Sequence, residues 1–372
     1  MKIGFLYDMP YPWHKGGIEQ LMMNEAAELA KSNEVHFLTL RWPGMEKEFV
    51  HNGIHYHAYA RMDEKTAYMG GRRSIKEASI FAMSAINLFR FKFDAVITDA
   101  FPFLHLPTVR LYCRMNGCKL VINIAEVWRR EYWKKYMGKI KGEAAHRYSG
   151  FAMKPESKYV AISSSTAALL QKRGIPRGNI RIFSPVIDDR LIGRIRRESG
   201  ERKERRIIFS SRFIKEKRVD KWLEIFAEAH KKDPSVKGLL IGEGVEEASI
   251  RRDIKRLGLG KALIIRHFYS KKEDLYREIA RSAAMLHMSE REGLGIVAIE
   301  SVALGTPVVL PSYNEMPKEV REMCVVADEK KLADKILEII NSSNKEKYIK
   351  NTANLGLFSI SKTREVYGRL IR

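Results

Sequence analysis

Glu292 and Glu300 stand with seven residues between them, around the small turn Gly293-Leu294-Gly295, in the stretch 288–310 that reads MSEREGLGIVAIESVALGTPVVL. Ile296, Val297, Ile299, Val302 and Ala303 repeat at helical spacing, and glycine turns break the repeat on both sides. Gly305 suits the left-handed position just past a helix end, and Pro307 then prevents continuation. The spacing predicts a short helix from Gly295 or Ile296, with Glu292 on the loop before it and Glu300 on its second turn. Free N–H groups at such a start, together with the helix dipole, favour a phosphate or another electron-rich oxygen. A carboxylate that accepts from a sugar hydroxyl makes a charge-assisted bond worth about 1.5–3 kcal/mol. The pattern therefore predicts a pocket at the carboxyl edge of a sheet, for a ligand that carries both phosphates and hydroxyls, as a nucleotide sugar does. A bare glutamate pair would be no more than two solvated acids; the glycines, the helix stop and the apolar run Val308-Val309-Leu310 carry the argument.

The elements that must hold these residues alternate twice over. At 372 residues the chain is long enough for about two domains, and 45% hydrophobic residues can fill sizeable cores. Apolar, β-branched runs predict strands near 2–7, 34–40, 54–60, 94–98, 120–124, 159–162 and 180–183, with helical patterns between several of them. A second series follows near 206–210, 238–241, 263–266, 285–288, 308–310 and 324–326. Such alternation builds parallel sheets covered on both faces. The highly charged stretch from Asp188 to Arg206 is the best boundary between the two series.

Two glycine turns and a basic loop follow strands in this scheme. Gly16 and Gly17 open a helix that runs to about Lys31, so their N–H groups can approach phosphate or sugar oxygens. Arg212 and Lys217 lie in the loop SSRFIKEKR after the strand at 206–210. Ile241-Gly242-Glu243-Gly244 forms another turn; it lacks the third glycine of a dinucleotide fingerprint, which disfavours an oxidoreductase.

The segment Ser289–Val309 resembles the signature of the retaining family-4 glycosyltransferases (glycosyl transferases group 1): Ser289, then Glu292-Gly293-Leu294-Gly295 with Leu294 in place of the family's Phe, then Glu300, then Gly305-Thr306-Pro307-Val308-Val309. Element order is similar over nearly the whole chain, more so in the second half. The resemblance implies the GT-B fold, an α/β class with two Rossmann-like doubly wound parallel-sheet domains facing a central cleft. It implies an N-terminal acceptor domain over 1–190, a nucleotide-sugar donor domain over 191–355, and a C-terminal helix over 356–372 returning to the first domain. Arg212 and Lys217 then resemble the family's basic pair, which neutralises the donor diphosphate as the glycosidic bond breaks. Glu300 would accept from the ribose, and Glu292 with Gly293, Leu294 and Gly295 would hold the transferred sugar. Ser289, Gly16, Gly17 and Gly242 complete the donor site. Catalytic weight falls on Glu292, Arg212 and Lys217, and substitution of Lys217 or Glu292 should abolish transfer with stability nearly intact.

One departure stands out. The strand near 120–124 usually ends in His-Asp or His-Glu in that family, whereas Ala125-Glu126 stands here. Glu126, His14, Asp99 and His105 are the remaining candidates for that role. The resemblance implies a metal-independent transferase, with hexosyl transfer expected, that moves the sugar to a glycan or lipid-phosphate acceptor with retention and needs no cofactor. No Asp-x-Asp occurs in the chain, which disfavours the metal-dependent glycosyltransferase fold. A nucleotide-sugar epimerase or a phosphorylase would reuse the same phosphate logic. A noncatalytic membrane or nucleic-acid adaptor would rest on charge alone.

That charge is +22, dispersed and without a nucleic-acid motif, so no nucleic-acid partner is expected. Within Trp128–Lys141, the aromatics Trp128, Tyr132 and Tyr136 recur every four residues among Arg129, Arg130, Lys134, Lys135, Lys139 and Lys141. Such a helical face suits an anionic membrane surface, or else packs on its own domain. Three cysteines give neither a disulfide framework nor a metal spacing. Met1 leads directly into a strand and no run of eighteen apolar residues occurs, so a cytoplasmic protein, peripheral to the membrane if at all, is expected. Only two glutamines, Gln20 and Gln171, suggest a heat-adapted source.

Overall fold

The β-branched and aromatic runs of the sequence become two parallel sheets in a computed structural model, which describes residues 1–14, 16–62, 68–69, 72–73, 75–200, 204–290 and 292–371. One unit comprises Met1–Val186 with Ser359–Arg372, the other Ile187–Phe358.

In the first unit the strands are β1 (Lys2–Leu6), β2 (Glu34–Arg41), β3 (Glu48–His51), β4 (Ile54–Arg61), the short β5 (Tyr68–Met69) and β6 (Arg72–Arg73), β7 (Ala95–Asp99), β8 (Lys119–Ile124), β9 (Lys158–Ala161) and β10 (Ile180–Ile182). Eight of them form one sheet in the order β10-β9-β8-β7-β1-β2-β4-β3, while β5 and β6 pair by themselves. The central strands β1, β7 and β8 are buried on both faces, so they read as continuous apolar runs rather than alternating ones. Strand β3 is the exception to the parallel rule: it runs antiparallel to β4 at the edge. It was not among the expected strands, because Phe49 and Val50 are its only apolar residues and Val50 is exposed. Helices α1 (Gly17–Ala30), α2 (Ile75–Ser84), α3 (Leu106–Asn116), α4 (Arg130–Met137), α5 (Lys139–Ala152) and α6 (Ser164–Lys172) cover the faces. The turn that ends α3 brings Cys113 and Cys118, both free thiols, to 2.7 Å between sulfurs.

The second unit holds β11 (Glu204–Ser210), β12 (Lys237–Ile241), β13 (Leu263–Arg266), β14 (Ser282–Leu286), β15 (Val308–Pro311) and β16 (Val325–Ala327), all parallel, in the order β13-β12-β11-β14-β15-β16. Helices α7 (Asp189–Ser199), α8 (Val219–Lys232), α9 (Glu247–Arg256), α10 (Lys272–Arg281), α11 (Ile296–Ala303), α12 (Lys318–Arg321) and α13 (Leu332–Asn341) surround it. Much of the charged stretch after Asp188, which follows the division between the units, is therefore helix. Asp188 caps α7 by accepting from the N–H groups of Arg190 and Leu191, and Ile192 and Ile195 bury one face.

The final helix, α14 (Thr363–Ile371), belongs to the first unit. Its Tyr367 is fully buried and donates to Asn123 Oδ1 at 2.7 Å, while Asn123 Nδ2 donates to Glu25 Oε2 at 2.5 Å. Burial pushes the Glu25 carboxyl up to about 8, against the opposing hydrogen bonds of Tyr367 and Asn123.

Candidate functional site

In each sheet the strand order reverses at the first strand of the unit. Strand β1 has β2 on one side and β7 on the other; β11 has β12 on one side and β14 on the other. The crevice outside the carboxyl ends of such a strand pair is where open α/β sheets bind ligands. In the second unit, Ser210 ends β11 and Leu286 ends β14, so the basic loop and the Glu292 loop leave from opposite sides of that crevice.

These two loops meet. Lys217 Nζ lies 2.5 Å from Glu292 Oε1, and His287 Nε2 lies 3.0 Å from the same oxygen. Both donors reach Oε1; among the described residues none reaches Oε2. Burial alone would raise the Glu292 carboxyl, but the His287 hydrogen bond and charge, together with the Lys217 ammonium, outweigh it and hold it at about 2. Arg218, at a left-handed φ of 50°, caps α8 and reaches Glu290 at 2.5 Å, a second tie between the loops. Ser289 is buried, and its carbonyl accepts from Asn314 Nδ2 at 2.5 Å. Arg212 is exposed, and no described residue bonds its side chain.

Helix α11 begins where its spacing predicts. Gly295 is its N-cap at φ 80°, which a β-carbon would strain, and the first-turn N–H groups of Ile296 and Val297 have no partner within the helix. At the other end, Gly305 N–H donates to Val302 and Thr306 N–H to Ser301, the double bond of a Schellman stop. Glu300, on the second turn, is 4% exposed; its Oε1 lies 2.8 Å from the Tyr276 hydroxyl and 2.7 Å from Lys272 Nζ. Buried beside that carboxylate, the Tyr276 hydroxyl is raised well above its ordinary range, first by burial and then by the Glu300 charge.

His287 and Lys272 were not among the expected residues. His287 interrupts the apolar run Met285-Leu286-His287-Met288, the one local signal that something other than packing is required there. Lys272 opens a charged helix, and nothing local marks its partner 28 residues on.

Gly242 supports the basic loop. A β-carbon there would come 2.0 Å from the Ser211 carbonyl oxygen, and backbone cannot swing aside as a side chain can. Ser211 N–H donates to Ile241 and Phe213 N–H to Glu243, so the loop holding Arg212 is zipped onto this turn. Gly242→Ala should displace the loop at a cost of about 1–3 kcal/mol. The check is a chemical-denaturation midpoint together with nucleotide affinity, both of which should fall.

In the first unit, the sequence-predicted residues collect on the carboxyl edge of neighbouring strands. His14 and Gly16-Gly17 follow β1, Asp99 ends β7, and Glu126 follows β8. Gly16 is the N-cap of α1, and Glu19 in the first turn lies 3.0 Å from His14 Nδ1 and 3.2 Å from the Tyr7 hydroxyl. Asp99 accepts from the Phe101 N–H. His105 is fully buried and lies 3.0 Å from both the Thr98 hydroxyl and the Asp99 carbonyl, which gives it a structural part in this turn. Glu126 is exposed and accepts from Trp128 Nε1, next to Ala125 at the first position past β8.

The aromatic stripe near 128–141 is not one helical face. Trp128 precedes α4, Gly138 separates α4 from α5, and Trp128 packs on Trp133 and Tyr136 with ring centroids 4.8 Å apart in both cases. Among the described residues, no helix is long and apolar enough to cross a membrane, and no group of three His, Cys, Asp or Glu could hold a metal ion.

Comparison with known proteins agrees with this geometry. The family profile Glycosyltransferase Family 4 matches residues 15–191, and Glycosyl transferases group 1 matches 192–355. A curated relative, N-acetyl-alpha-D-glucosaminyl L-malate synthase of Bacillus anthracis, is 25% identical over 201 residues, covering 51% of this chain and 52% of that protein. The match thus spans about half the length of that relative. Among solved structures, HepE of Anabaena in complex with UDP and glucose shares 15% identity, with a TM-score of 0.68 over 99% of this chain and 98% of that one. WaaG, a glycosyltransferase involved in lipopolysaccharide biosynthesis, gives the same identity and TM-score over 99% of each chain. The fold is GT-B, and the chain belongs to the family-4, group 1 glycosyltransferases.

Proposed function

We propose that this glycosyltransferase moves a hexosyl group from a nucleoside-diphosphate sugar to a glycan or lipid-linked acceptor, with retention and without a metal. The observation that carries the reading is the Lys217–Glu292–His287 cluster in the crevice between β11 and β14. Lys217 and Arg212 hold the diphosphate, the first-turn amides of α11 reach the same phosphates, Glu300 accepts from the ribose, and Glu292 accepts from the transferred sugar through Oε2. UDP stands in the HepE complex, and the Bacillus relative is named as a glucosaminyl malate synthase, so a uridine nucleotide is the first donor to try.

The C–O bond between the sugar and the leaving phosphate breaks, and its electron pair goes to the phosphate oxygen. Arg212 and Lys217 stabilise that charge. The acceptor oxygen attacks from the same face and gives its proton to the departing phosphate, so no protein base is required at Ala125. The acceptor is held by the first unit, where Asp99 and Glu126 lie on one sheet edge beside the Gly16-Gly17 turn of the donor site. A thermal-shift panel of nucleoside diphosphates and nucleotide sugars identifies the base, because a ligand that binds only the folded state raises the melting temperature. Acceptor-dependent release of nucleoside diphosphate, undiminished by a chelator, is expected; release that needs no acceptor would favour an epimerase or hydrolase.

A further inference from the structure

An apolar cavity of about 520 Å³ lies within the first unit, between α2, the turn that follows β7, and the α4–α5 pair. We propose that it takes the hydrocarbon chain of a phosphorylated lipid, with the phosphate held at Lys141, which makes the acceptor of the transferase reading above a lipid-linked phosphate.

Four observations converge. The first is position: the turn contributing Phe103 comes four residues after Asp99, at the carboxyl edge where the acceptor reading already places its residues. The second is chemistry: Ile75, Ala78, Phe103, Trp133 and Ala145 supply carbon surface, and among the described residues Lys141 is the one charged member of the wall. A sugar or a base would need several convergent polar groups, whereas an alkyl chain needs none. The third is the Trp133 ring: it is a buried part of the wall, packed on Phe103 and Trp128, and its indole N–H has no hydrogen-bond partner among the described residues, so the wall is held by aromatic packing and not by polar groups. The fourth is the rim. Ile140 is 87% exposed between Lys139 and Lys141, and neither lysine has an ion-pair partner among the described residues. By contrast, Arg130, Lys134 and Arg147 are already committed to Glu143. An apolar side chain flanked by unpaired cations fits the headgroup region of an anionic lipid, where the cations meet phosphate and the hydrocarbon continues inward.

Dodecyl phosphate is a soluble probe for this site. Titration calorimetry below its micellar concentration, with the whole 372-residue chain, should show saturable binding. Each methylene buried is worth about fourfold in affinity, so octyl phosphate should bind at least tenfold more weakly. Ala145→Trp fills the cavity and should weaken dodecyl phosphate at least tenfold while leaving nucleoside-diphosphate affinity unchanged; Ala144→Trp, at an exposed wall position, does the same should the first variant fail to fold. Lys141→Glu should weaken dodecyl phosphate and spare dodecanol. Chain-length independence, or undiminished binding in a folded cavity-filled variant, overturns the proposal. Nucleoside-diphosphate binding is read separately, so failure of the donor reading is distinguishable from failure of this one.

Discussion

Lys217→Ala is expected to lower kcat/KM for sugar transfer by about 10²–10³-fold, the usual loss when one preorganised group facing a developing negative charge is removed. The loss should fall mainly on kcat, because the charge on the leaving diphosphate grows as the glycosidic bond breaks. The structure revises the accompanying expectation that stability would be nearly intact. Lys217 and Glu292 are mostly buried and paired at 2.5 Å, so deletion of the ammonium leaves a carboxylate with His287 as its remaining partner. A destabilisation of about 1–3 kcal/mol should follow at neutral pH, the cost of a buried group losing one of its hydrogen-bond partners. Its pH dependence has a fixed sign. The Glu292 carboxyl titrates near 2 in the folded chain against an ordinary 4.5, so its pairing stabilises the fold above pH 4.5 and is lost as pH falls through 2. The wild-type and variant stability curves should therefore converge in acid. Unchanged turnover in a folded Lys217→Ala protein would remove the basis for the donor assignment.

Glu25→Gln is expected to stabilise the protein, and increasingly so as pH rises. Glu25 is fully buried in the first unit, against Asn123 and the returning helix α14, and its carboxyl titrates near 8 instead of 4.5. A folded-state value raised in this way means that the stability contributed by the neutral acid is complete below pH 4.5 and is lost as pH rises through 8. At pH 7 the wild type carries a penalty on the order of 3 kcal/mol relative to an uncharged isostere. Glutamine keeps the size and a hydrogen bond to Asn123, and removes the titration. Melting temperatures should coincide near pH 4 and diverge in favour of the variant by about 5 °C or more at pH 8. Parallel melting curves across that range would show that Glu25 does not titrate as its burial requires.

Much of this architecture is legible in the linear order of residues. Continuous apolar runs such as Phe5-Leu6 and Val121-Ile122 mark central parallel strands, and the Gly295 and Gly305 boundaries of α11 follow from local backbone chemistry alone. What escaped notice depends on pairing across distance. Strand β3 has too few apolar residues to stand out until β4 is beside it. The two isoleucines that bury one face of α7 are masked by the charges around them, so the segment reads as a boundary and its helix does not stand out. The partnership of Glu292 with His287 and Lys217, and of Glu300 with Lys272 and Tyr276, arises because parallel crossovers return separate loops to one crevice. A spacing rule finds the glutamates; only the topology finds what holds them. The 128–141 segment shows the opposite error, in which a regular aromatic spacing suggests a helical face that Gly138 and the position of Trp128 do not allow.

Under the proposed function, the crevice between β11 and β14 binds the diphosphate of the donor through Arg212 and Lys217. The direct measurement is the equilibrium dissociation constant of the best nucleoside diphosphate, by titration calorimetry at fixed pH and salt, for the wild type and for Arg212→Ala and Lys217→Ala. Saturable one-to-one binding is expected, weakened at least tenfold in each variant, a loss of about 1.4 kcal/mol or more. Equal affinity in all three folded proteins would contradict it.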